Sequence, residues 1–329
     1  MFLLDGSSLQ LPHTPELLAA YPPQSNQYAV SHWPLMRVLG AADVVSGLAA
    51  RLCSGPMRGP GAVSEQELAK EMIGRLPEGC GVMADRNFGV FSMAYHARQQ
   101  NHPCLFRLTK ARARKLNGGA TPIAKTDKVI RWTPTRDDCR TNPEIAKQSV
   151  VEGRLVVCRT RVGGKSQKLY FFTTLDLAAD QILDVYGYRW NIETDLRSLK
   201  QEVRLHIIEA KSKDMVQKEL VLAVAAYNLT RATMNQAASA LQCNPRGLSY
   251  SLAQDTITFL PAFANATTDQ QREELIQEML RVFKYSKLPD RSNRSPYQRA
   301  IWPRGSSFPS RKLAKKRKSS GKRNVTKKK

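Results

Sequence analysis

The hydrophobic pattern changes character three times along the chain. Phe2 to Leu11 is a short apolar run with Asp5-Gly6 inside it, which predicts a strand interrupted, or turned, at that dipeptide. Met36 to Leu52 mixes β-branched and small residues and predicts the next strand or two. Ser64-Glu-Gln-Glu67 reads as a capping box opening a helix through Arg75. Gly79 to Gly89 predicts a short buried strand that ends at Asp85 and a turn. A helix over 91–100 and a strand over 104–109 follow. Strand and helix alternate here, so residues 1–110 are expected to form the first part of an α/β core.

Residues 111–174 are rich in charges, prolines and glycines, and Val150–Val162 and Lys168–Thr174 alternate as antiparallel strands do. They predict an inserted β subdomain. From Leu177 to Leu241 the period returns to that of helices, which assigns 175–241 to the second part of the core. Residues 242–303 predict a helical C-terminal region, with an amphipathic helix over 267–286.

One helical segment carries chemistry. In Tyr186-Gly-Tyr-Arg189-Trp-Asn-Ile-Glu193-Thr-Asp-Leu-Arg-Ser-Leu-Lys200 the residues Tyr186, Arg189, Glu193 and Lys200 are separated by intervals of 3, 4 and 7. On one continuous helix they share an arc of about 60°, beside and not opposite the apolar set Val185, Ile192, Leu196, Leu199 and Val203. A carboxylate at the edge of a buried face can bind a metal ion while its flanking cations meet phosphates. The competing reading is a solvated helix face with charges at i, i+4 spacing.

Composition narrows the partner. The chain has 329 residues, 42% hydrophobic, with 51 basic and 28 acidic side chains and a formal charge of +23. An excess of that size points to a polyanion, nucleic acid before membrane surface. Leu220–Ala226 is far too short to span a bilayer, and residues 1–5 lack the makings of a signal peptide. Six scattered cysteines without a C-x-x-C pair read as reduced and structural, which with the charge places the chain in the cytoplasm. Residues 304–329 carry 12 Lys or Arg and no acid, so residues 1–303 keep +11. This composition predicts a disordered basic tail that attracts phosphates without regard to sequence.

If Glu193 binds metal it needs partners. Asp5 and Asp85 are the candidates, each read as an acid at a strand end; Asp43 and Asp184 rank below them. Three such carboxylates can hold two ions that clamp the attacking and leaving oxygens of a phosphoryl transfer.

With these residues in place the chain resembles bacterial insertion-sequence transposases of the DDE superfamily, whose catalytic core is RNase H-like. Asp5-Gly-Ser resembles the first catalytic aspartate, and Ala84-Asp85-Arg-Asn-Phe the second. Tyr186, Arg189, Glu193 and Lys200 reproduce the Y-x2-R-x3-E-x6-K signature of one large subgroup. Ala226-Tyr-Asn-Leu-Thr-Arg231 resembles the helix that follows it, and Arg291, Arg294, Arg299 and Arg304 a basic C-terminal segment.

The resemblance implies an RNase H-like mixed sheet flanked by helices, and cut-and-paste DNA transposition. Asp5, Asp85 and Glu193 would coordinate two Mg2+, with Mn2+ as substitute. Tyr186, Arg189 and Lys200 would grip phosphates of double-stranded DNA, acting in a nucleoid-associated homodimer. Family members usually carry a helical region before the first catalytic strand, whereas four residues precede Asp5 here, which implies a truncated or internally initiated copy. They also place a base-stacking tryptophan late in the insertion. Gly153–Thr174 has none, leaving the earlier Trp132 as the nearest candidate and Trp190 as a core residue. Two other readings stand beside this one: a DNA-binding remnant without catalysis, and an RNase H-like nuclease without transposition.

Overall fold

A computed structural model describes residues 1–23, 31–162 and 165–289. The basic tail at 304–329 and the four arginines at 291, 294, 299 and 304 lie outside the described residues.

The first half of the chain runs β1 (Phe2–Gln10), α1 (Pro15–Ala20), β2 (Leu35–Asp43), β3 (Cys53–Pro56), α2 (Glu65–Ile73), β4 (Val82–Ala84), α3 (Phe91–Gln99), β5 (Cys104–Leu108) and α4 (Lys110–Leu116). It continues through β6 (Asp127–Trp132), α5 (Arg136–Thr141), β7 (Val151–Val162) and β8 (Lys165–Thr173). The helical part comprises α6 (Ala179–Gly187), α7 (Trp190–Gln201), α8 (Lys213–Ala240), α9 (Tyr250–Gln254), α10 (Leu260–Asn265) and α11 (Asp269–Tyr285).

All eight strands form one mixed sheet in the order β3-β2-β1-β4-β5-β8-β7-β6. β1 runs parallel to β4 and β4 parallel to β5, while the other neighbours are antiparallel. The fold is thus the expected α/β class, a mixed sheet flanked by helices. The strands of the segment 111–174 extend this sheet directly, because β8 pairs with β5 from Leu105↔Thr173 to Leu108↔Tyr170. The segment also contributes α4 and α5.

Side-chain alternation divides the core in two. Leu3, Met83, Leu105 and Phe171 face the layer built from α6, α7, α8 and α9. Their neighbours Leu4, Ala84, Phe106 and Phe172 face α2 and α3. The Ser64 capping box forms as its sequence predicts, with Glu67 N–H donating to Ser64 Oγ at 3.1 Å. Two expectations fail. β1 is continuous through Asp5-Gly6, because Asp5↔Gly40 and Gly6↔Leu39 are ordinary ladder pairs with β2; Asp5 is therefore mid-strand. The two tryptophans are also exchanged: Trp132 is buried, edge-on to Phe172 with centroids 4.9 Å apart, whereas Trp190 is 65% exposed.

The helical layer is held by a buried ion cluster. Asp195 on α7 is fully buried, and its Oδ1 accepts from Arg231 Nη2 at 2.8 Å, Arg246 Nη1 at 2.7 Å and the Tyr227 hydroxyl at 2.9 Å. Arg231 and Tyr227 belong to α8, one helical turn apart. Arg246, in the turn after α8, also donates to the carbonyls of Asp43 and Val44 at 2.7 and 3.2 Å. One carboxylate thus ties α7, α8 and the end of β2 together. Removing one partner of a buried pair leaves uncompensated charge, which costs about 3–5 kcal/mol. Asp195→Ala should lose that much in urea denaturation; a loss below about 1 kcal/mol would show that the cluster does not hold these helices.

Candidate active site

Strand parity and register bring the two aspartates together. Leu3 pairs with Met83 and Leu4 with Ala84 in the parallel β1–β4 ladder, so Asp5 and Asp85 come one step later on neighbouring strands. Both continue the parity of Leu3 and Met83, whose side chains face the α6–α8 layer. Asp85 follows the end of β4 as the sequence predicts, and its Oδ1 accepts from Asn87 N–H at 2.7 Å. The Asn87 side chain in turn donates to Glu65 Oε2 at 2.7 Å, fixing the loop against the start of α2. Gly89 lets that loop lie against β5: a Cβ there would stand 2.1 Å from the Arg107 carbonyl oxygen.

α7 delivers Glu193 to the same face. Its Leu196 packs over Gly40, the ladder partner of Asp5, where a Cβ would come within 2.9 Å of Leu196 Cδ2. The small residue lets α7 sit low on the sheet. Asp5, Ser7, Glu193, Arg197 and Lys200 then line one shallow pocket of about 280 Å3.

The stripe does not ride one continuous helix. α6 ends at Gly187 and α7 starts at Trp190, and the intervening turn is tightened by Tyr188 N–H to the Val185 carbonyl and Arg189 N–H to the Tyr186 carbonyl. Tyr188 and Arg189 keep right-handed helical angles. Glycine disfavours helix, and i→i+3 bonds are how helix ends commonly tighten. The apolar set lands as its spacing predicts: Ile192, Leu196 and Leu199 are buried, Val185 and Val203 half-buried.

Charge then organises the stripe. Arg189 is buried, and its Nη2 donates to Glu193 Oε1 at 2.5 Å. Burial alone would lower its pKa, but that bond and the nearby Tyr186, Glu193 and Asp5 hold the guanidinium above its usual value. Tyr186 is raised by burial, against the pull of Arg189 and Arg107; its hydroxyl is buried, and among the described residues none meets it at full hydrogen-bond geometry. Lys200 is lowered by burial. The exposed Trp190 ring lies under Arg189, its centroid 4.6 Å from Cζ. Asp43, the lower-ranked acid, instead closes a turn by accepting from Val45 N–H and Ser46 N–H.

Asp5 is the most perturbed acid of the site. Burial, then the Asp85 and Glu193 charges, push its carboxyl up to about 6, against the Gly6 N–H bond and Arg189. Among the described residues no group of three or more His, Cys, Asp or Glu side chains is placed to hold a metal ion. The donor chemistry nevertheless suits a hard divalent cation, which takes carboxylate oxygens and completes its shell with water and phosphate. Carboxylates crowded enough to raise a neighbour's pKa are short of positive charge.

Sequence reasoning gave Asp195 and Arg246 no role and named Tyr227 and Arg231 only within the Ala226–Arg231 motif. The signal was present but weak: Asp195 borders the apolar arc of α7, and Tyr227 and Arg231 stand at i, i+4.

A family model described as "Transposase DDE domain" matches residues 1–229. The chain is also 24% identical over 323 residues to "Transposase InsG for insertion sequence element IS4" of Escherichia coli (strain K12), covering 94% of this chain and 69% of that protein.

The raised Asp5 pKa carries a sign. A carboxyl raised from 3.8 to about 6 favours the fold while protonated, so its contribution is lost as pH rises from about 4 through 6. In metal-free protein, Asp5→Asn should melt above wild type at pH 7, and the gap should close by pH 4. A gap that is constant with pH in thermal melts would contradict the assignment.

Proposed function

The chain belongs to the DDE-domain transposase family, and from that premise we propose that it cuts and joins the ends of an insertion sequence by cut-and-paste transposition. The role named for the InsG relative, a transposase for an insertion sequence element, is extended here to this chain. Its partner is double-stranded DNA, engaged as a homodimer in the nucleoid. In keeping with this, no helix among the described residues is long and apolar enough to cross a membrane. In the same reading 1–110 and 175–241 form the catalytic core, 111–174 an insertion, and 242–303 a C-terminal helical region.

What supports the reading most is that neighbouring parallel strands lead to Asp5 and Asp85, that Glu193 and Lys200 line one pocket with Asp5, and that the Asp85 and Glu193 charges both act on the Asp5 carboxyl. Asp5, Asp85 and Glu193 would hold Mg2+, or Mn2+ in its place. Bound there, the ions supply Lewis-acid stabilisation of the phosphoryl oxygens and a nucleophile at neutral pH.

The protein's own contribution is positioning and charge. Lys200, half-buried beside Glu193, meets a phosphate oxygen as a point charge. Arg189 has a planar guanidinium with donors to spare beyond the one that holds Glu193. It orients the carboxylate and grips the same backbone. Tyr186, whose hydroxyl is buried beside Arg189 and Arg107, would act on the phosphate through those cations.

The test is cleavage by the full chain of duplex DNA carrying the sequences that flank its own coding region, with Mg2+ or Mn2+. Strand cleavage and joining are expected. Asp85→Asn and Glu193→Gln should each lower the rate by at least about 10²–10³-fold, the scale of losing one preorganised charge contact. Cleavage undiminished in both variants would overturn the assignment.

A further inference from the structure

A second concave surface opens where β8 runs on past the end of β5. The last ladder pair of those strands is Leu108↔Tyr170, beyond which β8 continues toward Lys165 without β5 beside it. The gap is a pocket of about 520 Å3 whose lining includes Arg86, Arg107, Lys110 and Lys168, with Thr109 and Gln167 between them. Among the described residues no aspartate or glutamate lines it. Among the described residues none of the four cations forms an ion pair, although arginines elsewhere on this sheet do, Arg154 with Asp127 and Arg131 with Glu152.

Four cations lining one concavity without an acid among them repel one another and make it a patch of positive potential. Folding tolerates such a cluster where an anion is to be bound. The surroundings specify which anion. Arg86 directly follows Asp85, and Arg107 stands close enough to Tyr186 to pull on its hydroxyl. The pocket therefore adjoins the candidate active site on the β5–β8 side, away from Lys200 on α7. The main-chain carbonyl of Arg86 is held by Arg112 Nη1 at 2.9 Å, which steadies the link between them.

We propose that this pocket seats backbone phosphates of the DNA strand that continues past the bond to be cut. The inference rests on the transposase reading and adds a binding site to it. Phosphates at Lys200 and phosphates in the pocket would then bracket the carboxylates, so that the strand is stretched across Asp5 and Asp85 and held at both ends. Thr109 and Gln167 add neutral donors of the kind that fix a phosphate's position without reading its base.

Binding, measured without divalent metal, tests this independently of cleavage. Each phosphate contact removed should flatten the dependence of log K on log salt by about 0.9 for duplex and about 0.7 for single-stranded DNA. The full chain carrying Lys110→Gln and Lys168→Gln together should therefore lose about 1.8 or about 1.4 from its slope, the two values separating duplex from single strand. Arg98→Gln, an exposed cation on α3 outside the pocket, should leave the slope within half of one contact. Neither lysine is paired, so melting temperatures should hold, and an unchanged melt confirms that the slope reports contact and not unfolding. An unchanged slope in the double variant, or an equal fall in Arg98→Gln, would overturn the pocket assignment while leaving the cleavage test untouched. Cleavage that survives Asp85→Asn and Glu193→Gln would instead overturn the parent reading, whatever the slopes.

Discussion

The Asp195 carboxylate is the point on which the geometry of the site hangs. Its Oδ1 takes three donors from two elements, while Oδ2 has no partner among the described residues. Such a cluster is an inefficient source of stability, because its three charges were desolvated to make it. Its use here is directional. Asp195 lies two residues from Glu193, on the other side of α7, so the bonds that fix one fix the azimuth of the other. Arg246 carries the constraint on to the carbonyls of Asp43 and Val44, at the end of the strand that pairs with β1. Helix and strand thus share one anchor. Stacking of Tyr227 on Tyr250, with Arg231 over both rings, walls the cluster off from water.

Against that anchor the sheet contributes its register. Parallel neighbours present equivalent residues side by side, so two aspartates that each follow the same parity arrive on one face at one level. Gly40 opposite Asp5 then decides how near α7 can come. A larger side chain would meet Leu196 first and lift Glu193 with it. The result is a half-buried acid whose charge is poorly compensated by the protein. Enzymes commonly keep such strain at sites where a ligand relieves it.

Unpaired charge runs through the rest of the surface in the same sense. Acidic side chains on the described surface are largely spent on capping, turns and local ion pairs: Glu67 in a capping box, Asp43 in a turn, Asp127 with Arg154. The cations near the end of β5 have no such partners among the described residues. Among the described residues four cations without an acid thus gather in one concavity near the carboxylates.

The sequence by itself determined the local elements and the family to which the chain belongs. The Ser64 capping box, the strands leading to Asp5 and Asp85, and the buried set Ile192, Leu196 and Leu199 all follow from spacing and short-range bonding, which a chain carries wherever it folds. The signature Tyr186, Arg189, Glu193 and Lys200 was equally legible, because its intervals are those of a helix, although a Gly187 turn tightens it. Only the tertiary structure decided what depends on distant neighbours. Asp5 lies inside a strand and not at its end because β2 supplies ladder partners through Gly6. Trp132 is buried because β8 offers Phe172 to it, whereas Trp190 stays exposed with the Arg189 guanidinium over its ring. Asp195 is buried because arginines 36 and 51 residues away arrive to meet it. Periodicity reports which side of its own element a residue occupies; what that side touches is set by chain closure over separations no local pattern encodes.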